Sequence, residues 1–360
     1  MLKKGLLIIS SLALSLLICE IALRIIGFGG EREWTLEDAV PVVDEILDYR
    51  LKPYADTRSG GVSYRLNGQG FRDVARKYNE KGEGCRLVVT GDSVAFGYKV
   101  EFAKIFSRQI ESLLNKEFSF KTAEVFNLAL PGINTLQESQ LLLGDGGKLD
   151  PDLVILLYVL NDADDGVSYG RATQKRAPAN CSINLLNLPI PCVIKRWAKQ
   201  SAVLFFLKDK LDSAVWKLGI GDNDDPNNSM QSDYFSKLYK NSSGWEKHVV
   251  DGFERIKTYG EKRGVPVVMV IFPVMFDFAD YKWGWIHKKV AAEAERHGFR
   301  VIDLLGEYMK YPVTQTRLER GDFVHPNALG HRLAASAVVT YIHDHPDVLR
   351  RCDRRSEGSS

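Results

Sequence analysis

With 360 residues, 45% of them hydrophobic and 26% charged, the chain has the make-up of a globular protein, not of a disordered or fibrous one. That length holds one large domain or two small ones. The formal charge is only +2 and no basic stripe is interleaved with aromatics, so nucleic-acid binding has no support; the acidic run Asp222–Asp225 reads as solvated loop.

Lys3 and Lys4 precede an apolar run from Gly5 to Cys19, and Ile21–Leu23, Ile25 and Ile26 carry it past Glu20 and Arg24. The first stretch alone falls short of the roughly 20 residues that cross a bilayer. Counted through Ile26 the length suffices, with Glu20 and Arg24 near the outer interface, one helical turn apart and able to pair. A cleaved signal peptide would need small residues after Cys19, and a lipoprotein signal a small residue where Ile18 stands. An uncleaved transmembrane signal anchor over 1–27 fits best. Lysines before the span put the N-terminus in the cytoplasm and the body on the periplasmic or extracellular side of the inner (cytoplasmic) membrane, in a single pass.

Residues 28–84 read as a membrane-proximal segment, with a short alternating strand from Val62 to Leu66 and a glycine-rich turn at Asn67-Gly-Gln-Gly-Phe-Arg-Asp. An α/β alternation follows. The spacing predicts strands at Arg86–Thr90, Glu124–Leu130 and Asp152–Leu160, with helices at Phe102–Leu114 and Thr135–Leu143. The unbroken apolar run of the third strand suits a strand buried on both faces. Residues 163–244, with prolines and a helical piece near Val193–Leu218, read as an insertion, a lid or substrate-binding lobe. The alternation resumes with a helix at Trp245–Arg263, a strand at Val265–Pro273, a helix at Trp283–His297, a strand at Arg300–Leu305 and a last helix at Ala328–His343. The tail 346–360 is expected to be disordered. Strands alternating with helices imply a three-layer α/β/α sandwich around a parallel sheet of about five strands.

Of the cysteines, Cys19 lies in the apolar run, and Cys85, Cys181, Cys192 and Cys352 have neither CxxC pairing nor zinc-ligand spacing. In an oxidising compartment Cys181 and Cys192 can pair locally; the alternative is two unpaired thiols.

Active sites of parallel α/β sheets form at the carboxyl ends of strands. Gly91-Asp92-Ser93 follows the first strand, Leu130-Pro-Gly132-Ile-Asn134-Thr the second and Leu160-Asn161-Asp162 the third. Asp322-Phe-Val-His325-Pro-Asn327 precedes the last helix. Each block alone has a plain structural explanation. A GDS tripeptide is a common turn, Pro-Gly is a turn, and Asn161, Asp322 and Asn327 are ordinary helix caps. Together they supply what acyl transfer needs. Ser93 is a nucleophile, His325 the base that takes its proton, and Asp322 the carboxylate that orients the imidazole. The N–H groups of Ser93 and Gly132 and the amide of Asn161 are candidate oxyanion donors. The remaining histidines read as packed or helix-surface residues.

These blocks resemble the SGNH, or GDSL, hydrolase family, over about 85–345. Gly-Asp-Ser-Val-Ala-Phe-Gly at 91–97, Asn-Leu-Ala-Leu-Pro-Gly-Ile-Asn-Thr at 127–135, Leu-Asn-Asp at 160–162 and Asp-Phe-Val-His-Pro-Asn at 322–327 stand in the family's order. The resemblance implies the same roles for Ser93, Gly132, Asn161, Asp322 and His325. Leu160 stands where many members have Gly, and Val94 replaces the Leu of the family's name; neither removes a catalytic group. Asn67-Gly-Gln-Gly-Phe-Arg is similar to a segment of membrane-anchored members. The implied activity is ester hydrolysis through an acyl-serine, with no cofactor or metal. The expected substrate is an acyl ester, such as an acetylated glycan or a lipid of the envelope. An O-acyltransferase to a sugar hydroxyl would use the same triad, and a non-catalytic envelope scaffold would keep the fold alone.

Overall fold

The computed structural model describes residues 2–25, 39–42, 44–47, 49–59, 61–78, 80, 84–117, 122–166, 184–185, 188–189, 201–204, 206–207, 228–240, 243–319 and 321–352. The chain divides into two units. One comprises Met1–Thr35, Thr57–Val62 and Gln174–Asp224, and the other Leu36–Asp56, Ser63–Thr173 and Asp225–Ser360.

Five apolar runs of the second unit become the strands of one parallel sheet. They are β1 (Cys85–Gly91), β2 (Ala123–Ala129), β3 (Leu153–Tyr158), β4 (Val267–Ile271) and β5 (Arg300–Asp303). Every residue of β1, β3 and β4 is buried, as a strand covered on both faces requires. The strand order is β5-β4-β3-β1-β2, so the direction of winding reverses between β1 and β3. That reversal is where the strand ends splay apart and leave a crevice for a ligand.

The helices follow from right-handed crossovers, which put connections running in opposite directions on opposite faces. The helix between β1 and β2 is α3 (Phe106–Glu117), reached through a short α2 (Ser93–Phe96). After β2 comes α4 (Thr135–Leu141), which continues through a widened turn at Leu142–Gly146. Then come α5 (Asn228–Lys240), α6 (Asp251–Arg263) and α7 (Gly284–Arg296), and the last helix is α8 (Ala328–Asp344). Helix α8 packs on α3, and α6 packs on α4, giving the two outer layers. Gly252 of α6 meets the backbone of Thr135 and Leu136 so closely that a Cβ there would come within 2.9 Å of it.

The segment 28–84 is divided between the two units. Leu36–Asp56 and the chain from Ser63 onward belong to the sheet-bearing unit, because their side chains are needed there. Tyr49, Tyr64 and Arg72 are each fully buried in it. Of the tail 346–360, expected to be disordered, residues 346–352 are ordered and residues 353–360 lie outside the described residues. Pro346–Leu349 forms a helical turn, Val348 is buried, and Cys352 is bonded to Cys85 at the start of β1. The pair expected from the sequence, Cys181 and Cys192, lies outside the described residues, as does most of the helix expected near Val193–Leu218.

In the other unit, Leu2–Ile25 forms one helix of 24 residues, α1. At about 1.5 Å per residue it is long enough to cross a hydrocarbon core. Among the described residues no helix is long and apolar enough to cross a membrane. Arg24 pairs with Glu20 at 2.7 Å, as their one-turn spacing predicts. The Glu20 carboxylate also accepts the Ser201 hydroxyl and the N–H groups of Ala202 and Val203, at 2.9–3.0 Å, and so caps the helical piece that begins there.

Candidate active site

The nucleophile turn is built by the end of β1. Gly91 is required because a Cβ there would meet Ala95 at 2.6 Å and Leu157 at 3.1 Å. Asp92 then caps α2, its Oδ1 accepting the Val94 N–H at 2.8 Å. Ser93 opens the helix, half-buried, with its Oγ 2.8 Å from His325 Nε2. Below it lies Arg72, from the glycine-rich turn of the upstream segment. Its guanidinium donates to the carbonyls of Phe96 and Gly97 at the end of α2, and to Val100 at 2.7 Å and Ser63 at 3.2 Å. Tyr64 stacks beneath that group at 4.3 Å. Burial pushes the Arg72 guanidinium down to about 10, with the Tyr64 phenol acting in the opposite sense.

His325 and Asp322 share one turn. The imidazole Nδ1 lies 2.9 Å from Asp322 Oδ2 and 3.0 Å from Oδ1. Asp322 Oδ1 also accepts the N–H groups of His325 at 2.9 Å and Val324 at 3.0 Å. Burial raises the Asp322 carboxyl, but the hydrogen bond and charge of His325 and these two N–H groups outweigh it and hold it below its ordinary value. With Nδ1–H pointed at that carboxylate, Nε2 is the acceptor that faces the serine hydroxyl. Asn327 is the cap of α8, accepting the N–H groups of Leu329 and Gly330 at 2.9 and 3.1 Å. The Tyr98 ring lies over the imidazole, with centroids 4.8 Å apart.

Gly132 adopts φ +77°, a left-handed conformation that costs other residues and suits glycine. The carbonyl before it, of Pro131, accepts the buried Tyr49 hydroxyl. Asn134 caps α4 through Gln137 N–H at 3.1 Å and reaches the Asp164 carbonyl at 3.0 Å, tying the second block to the third. Asn161 sits in the helical turn Leu160–Ala163 after β3. Its Oδ1 is buried without a hydrogen-bond partner. Leu160, the departure from Gly, is fully buried, and its carbonyl accepts the Tyr239 hydroxyl of α5 at 2.9 Å.

The fold therefore brings Ser93, Asp322 and His325 into one relay and sets Gly132 and Asn161 on the turns that follow β2 and β3, and all five residues are half-buried. A base bonded to a hydroxyl and oriented by a carboxylate is the arrangement for nucleophilic acyl transfer. Sequence reasoning missed Tyr49, Arg72 and Tyr239, which brace these turns from far along the chain. It also placed His248 and His287 on the surface. Both are buried, His248 against Asp165 at 3.2 Å and His287 between Tyr281 and Asp303, each at 2.8 Å. A cavity of about 380 Å³ beside α6, lined by Leu143, Arg255 and Tyr259 among others, involves none of the five site residues. Among the described residues no cluster of His, Cys, Asp and Glu is arranged to hold a metal ion.

The family model for GDSL-like lipases and acylhydrolases matches residues 89–333. No curated protein matches the chain. Among solved structures, a lipase/acylhydrolase from Enterococcus faecalis is 17% identical, with 72% of this chain and 96% of that one covered and a TM-score of 0.39. A two-domain esterase active on acetylated mannans is 15% identical, covering 74% and 50%, TM-score 0.40. An acetyl xylan esterase is 13% identical, covering 71% and 99%, TM-score 0.38.

Proposed function

Because the chain belongs to the GDSL-like lipase/acylhydrolase family and is a hydrolase acting on esters, we propose that it cleaves acyl esters, acetyl esters above all, on a glycan of the cell envelope through an acyl-Ser93 intermediate. One observation carries the reading: Ser93 Oγ, His325 Nε2 and the Asp322 carboxylate form an unbroken relay with contacts of 2.8 and 2.9 Å. His325 takes the proton as Ser93 attacks the ester carbonyl, and returns it to the departing alcohol. Water, deprotonated by the same imidazole, then releases the acid. The N–H groups of Ser93 and Gly132 and the amide of Asn161 take up the oxyanion.

The openness of the site supports a bulky alcohol in place of an enclosed small one. Tyr98, Phe276 and Phe323 are all half-buried; Tyr98 lies on His325, and Phe323 follows Asp322 and packs against Phe276 with centroids 5.6 Å apart. Rings that expose one apolar face suit the C–H face of a sugar. We place the body on the outer side of the cytoplasmic membrane, anchored by α1. The length of that helix, the lysines of its first turn and a Cys85–Cys352 disulfide, which belongs to an oxidising compartment, support this.

The test is a screen of the full-length protein in detergent against aryl esters of graded acyl length and acetylated glycans, with Ser93→Ala as control. Release of acetate from a glycan by the wild type alone is the expected result. Activity confined to long acyl chains would replace glycan with lipid, and transfer to an added sugar in preference to water would make the protein an acyltransferase. A reporter fused after Ser360 should be active only outside the cytoplasm; activity inside would overturn the topology.

A further inference from the structure

Beneath the relay lie three carboxyl groups, each without solvent exposure: Asp92 beside the nucleophile, Asp162 next to Asn161, and Glu138 on α4. The first two have donors. Asp92 holds the Val94 N–H at 2.8 Å, and Asp162 Oδ2 holds the Thr135 hydroxyl at 3.2 Å and the Val159 N–H at 3.3 Å. Glu138 has none. Both its carboxyl oxygens are buried without a partner, and so are Oδ1 of Asp162 and Oδ1 of Asn161. An ionised carboxyl only accepts, so no rotation of Glu138 or Asp162 supplies a donor between them; a proton on one of the two does.

The surroundings supply no cation to Glu138. Thr135 opens α4 and its hydroxyl reaches Asp162 Oδ2 at 3.2 Å, and Glu138 stands one helical turn further along the same face, so the group this face sets beside it is another acid. Tyr158 on β3 is a buried phenol. Arg255 of α6 spends its guanidinium on Ser139, at 2.9 Å, and Gln140, and His248 turns to Asp165. A lone ionised carboxylate in such a place is far costlier than a neutral acid.

We propose that Glu138 remains a neutral acid through the catalytic cycle and donates its hydrogen to Asp162, tying α4 to the turn that carries Asn161; it is a positioning residue for the oxyanion site. Burial, reinforced by Asp162 and then Asp92, acts in the same direction and raises the Glu138 carboxyl well above its ordinary value. Ionising Glu138 would remove the tie and place a negative charge behind the oxyanion. The proposal rests on the esterase reading only for its kinetic readout.

The experiment uses full-length wild type, Glu138→Gln and Glu138→Ala in detergent, with an aryl acetate as substrate. Infrared spectra at neutral pH should show a buried protonated-carboxyl band that Glu138→Gln abolishes. Glu138→Gln, which keeps a donor at that place, should retain wild-type kcat at neutral pH and hold it at alkaline pH, where the wild type declines. Glu138→Ala should lower kcat by about 10²-fold at unchanged KM, the cost of a misplaced catalytic group. Identical alkaline limbs for wild type and Glu138→Gln, or the same carboxyl band in both, would overturn the proposal. If Glu138→Gln does not fold, loss of the band from the wild type on raising the pH decides alone. An inactive wild type would refute the esterase reading and leave the infrared result to judge Glu138.

Discussion

His325 Nε2 lies 2.8 Å from Ser93 Oγ although 232 residues separate them in the chain. The contact exists because β1 ends at the same crevice that the turn before α8 closes. Apart from His325, the Ser93 hydroxyl has only a long 3.4 Å approach to Asp92 among the described residues, so it does little for the fold. Ser93→Ala should therefore abolish hydrolysis, by about 10⁴ to 10⁶ in kcat, with the melting temperature unchanged. Residual activity of a tenth or so of wild type would end the assignment of Ser93 as nucleophile.

The sheet and the five site residues were legible in the sequence because both are written locally. A strand buried on both faces is a continuous apolar run, and each block is a short turn at the end of one. What was not legible depends on distant chain. Glu138 lies in Thr-Leu-Gln-Glu-Ser-Gln-Leu, a polar stretch that reads as helix surface, yet α6 packs on this helix and Glu138 is fully buried. Cys85 and Cys352 are 267 residues apart, and no spacing rule joins them. Arg72 and Tyr49 belong to a segment that looked peripheral, and their partners are backbone carbonyls, which leave no mark on a sequence. His287 is masked by a helical pattern that does not reveal its bonds to Tyr281 and Asp303.

Arg72 should matter for stability out of proportion to its distance from the chemistry. Its guanidinium serves the carbonyls of Phe96, Gly97, Val100 and Ser63 with no exposure to solvent. Arg72→Ala leaves them buried and unpaired, a loss on the order of 3–5 kcal/mol. At about 2–4 °C per kcal/mol for a domain of this size, the melting temperature should fall on the order of 10 °C. Arg72→Lys should recover little, because an ammonium cannot reproduce the planar fork or its stacking on Tyr64. Wild-type melting of Arg72→Lys would show that charge alone is what this site needs.

The Cys85–Cys352 bond closes nearly the whole sheet-bearing unit into one loop. Removing it frees the denatured chain and should cost about 2–5 kcal/mol. Cys85 lies at the opposite end of β1 from Ser93, about 20 Å away along a seven-residue strand. Cys352→Ser should therefore lower the melting temperature and leave kcat and KM alone, and dithiothreitol should bring the wild type to the same melting point. Equal melting of wild type and variant with and without reductant would mean that the bond adds nothing to stability.

Glu138 also sets a pH dependence of stability. Its folded carboxyl is raised, so between its ordinary value and the folded one the native state holds a proton that the unfolded chain has released. That contribution is complete below the ordinary glutamate range and is lost as pH rises through the folded value. Glu138→Gln has no such proton. The difference in melting temperature, wild type minus Glu138→Gln, should therefore decline steadily from mildly acidic to alkaline buffers. A difference that stays flat with pH would mean that Glu138 titrates alike in both states.

Asn161 separates chemistry from packing. As a helix cap it would tolerate Asp, which caps equally well. As an oxyanion donor it must present N–H to the developing charge, which an ionised Asp cannot do. Its Oδ1 is buried and bonds nothing, so no hydrogen bond to that oxygen gives the residue a structural reason to be an amide. Asn161→Ala should lower kcat by about 10² to 10³, the usual loss for one oxyanion donor. Asn161→Asp should be at least as damaging, since it sets a further acid against Asp92 and Asp162, whose carboxyls burial already raises. KM should change little in either case, because the contact forms only as the carbonyl oxygen gains charge. Steady-state hydrolysis of a short-chain aryl ester by the three proteins, with melting temperatures as a folding control, makes the measurement. Near-normal kcat in a folded Asn161→Asp would remove Asn161 from the oxyanion site and leave the N–H groups of Ser93 and Gly132 to carry it.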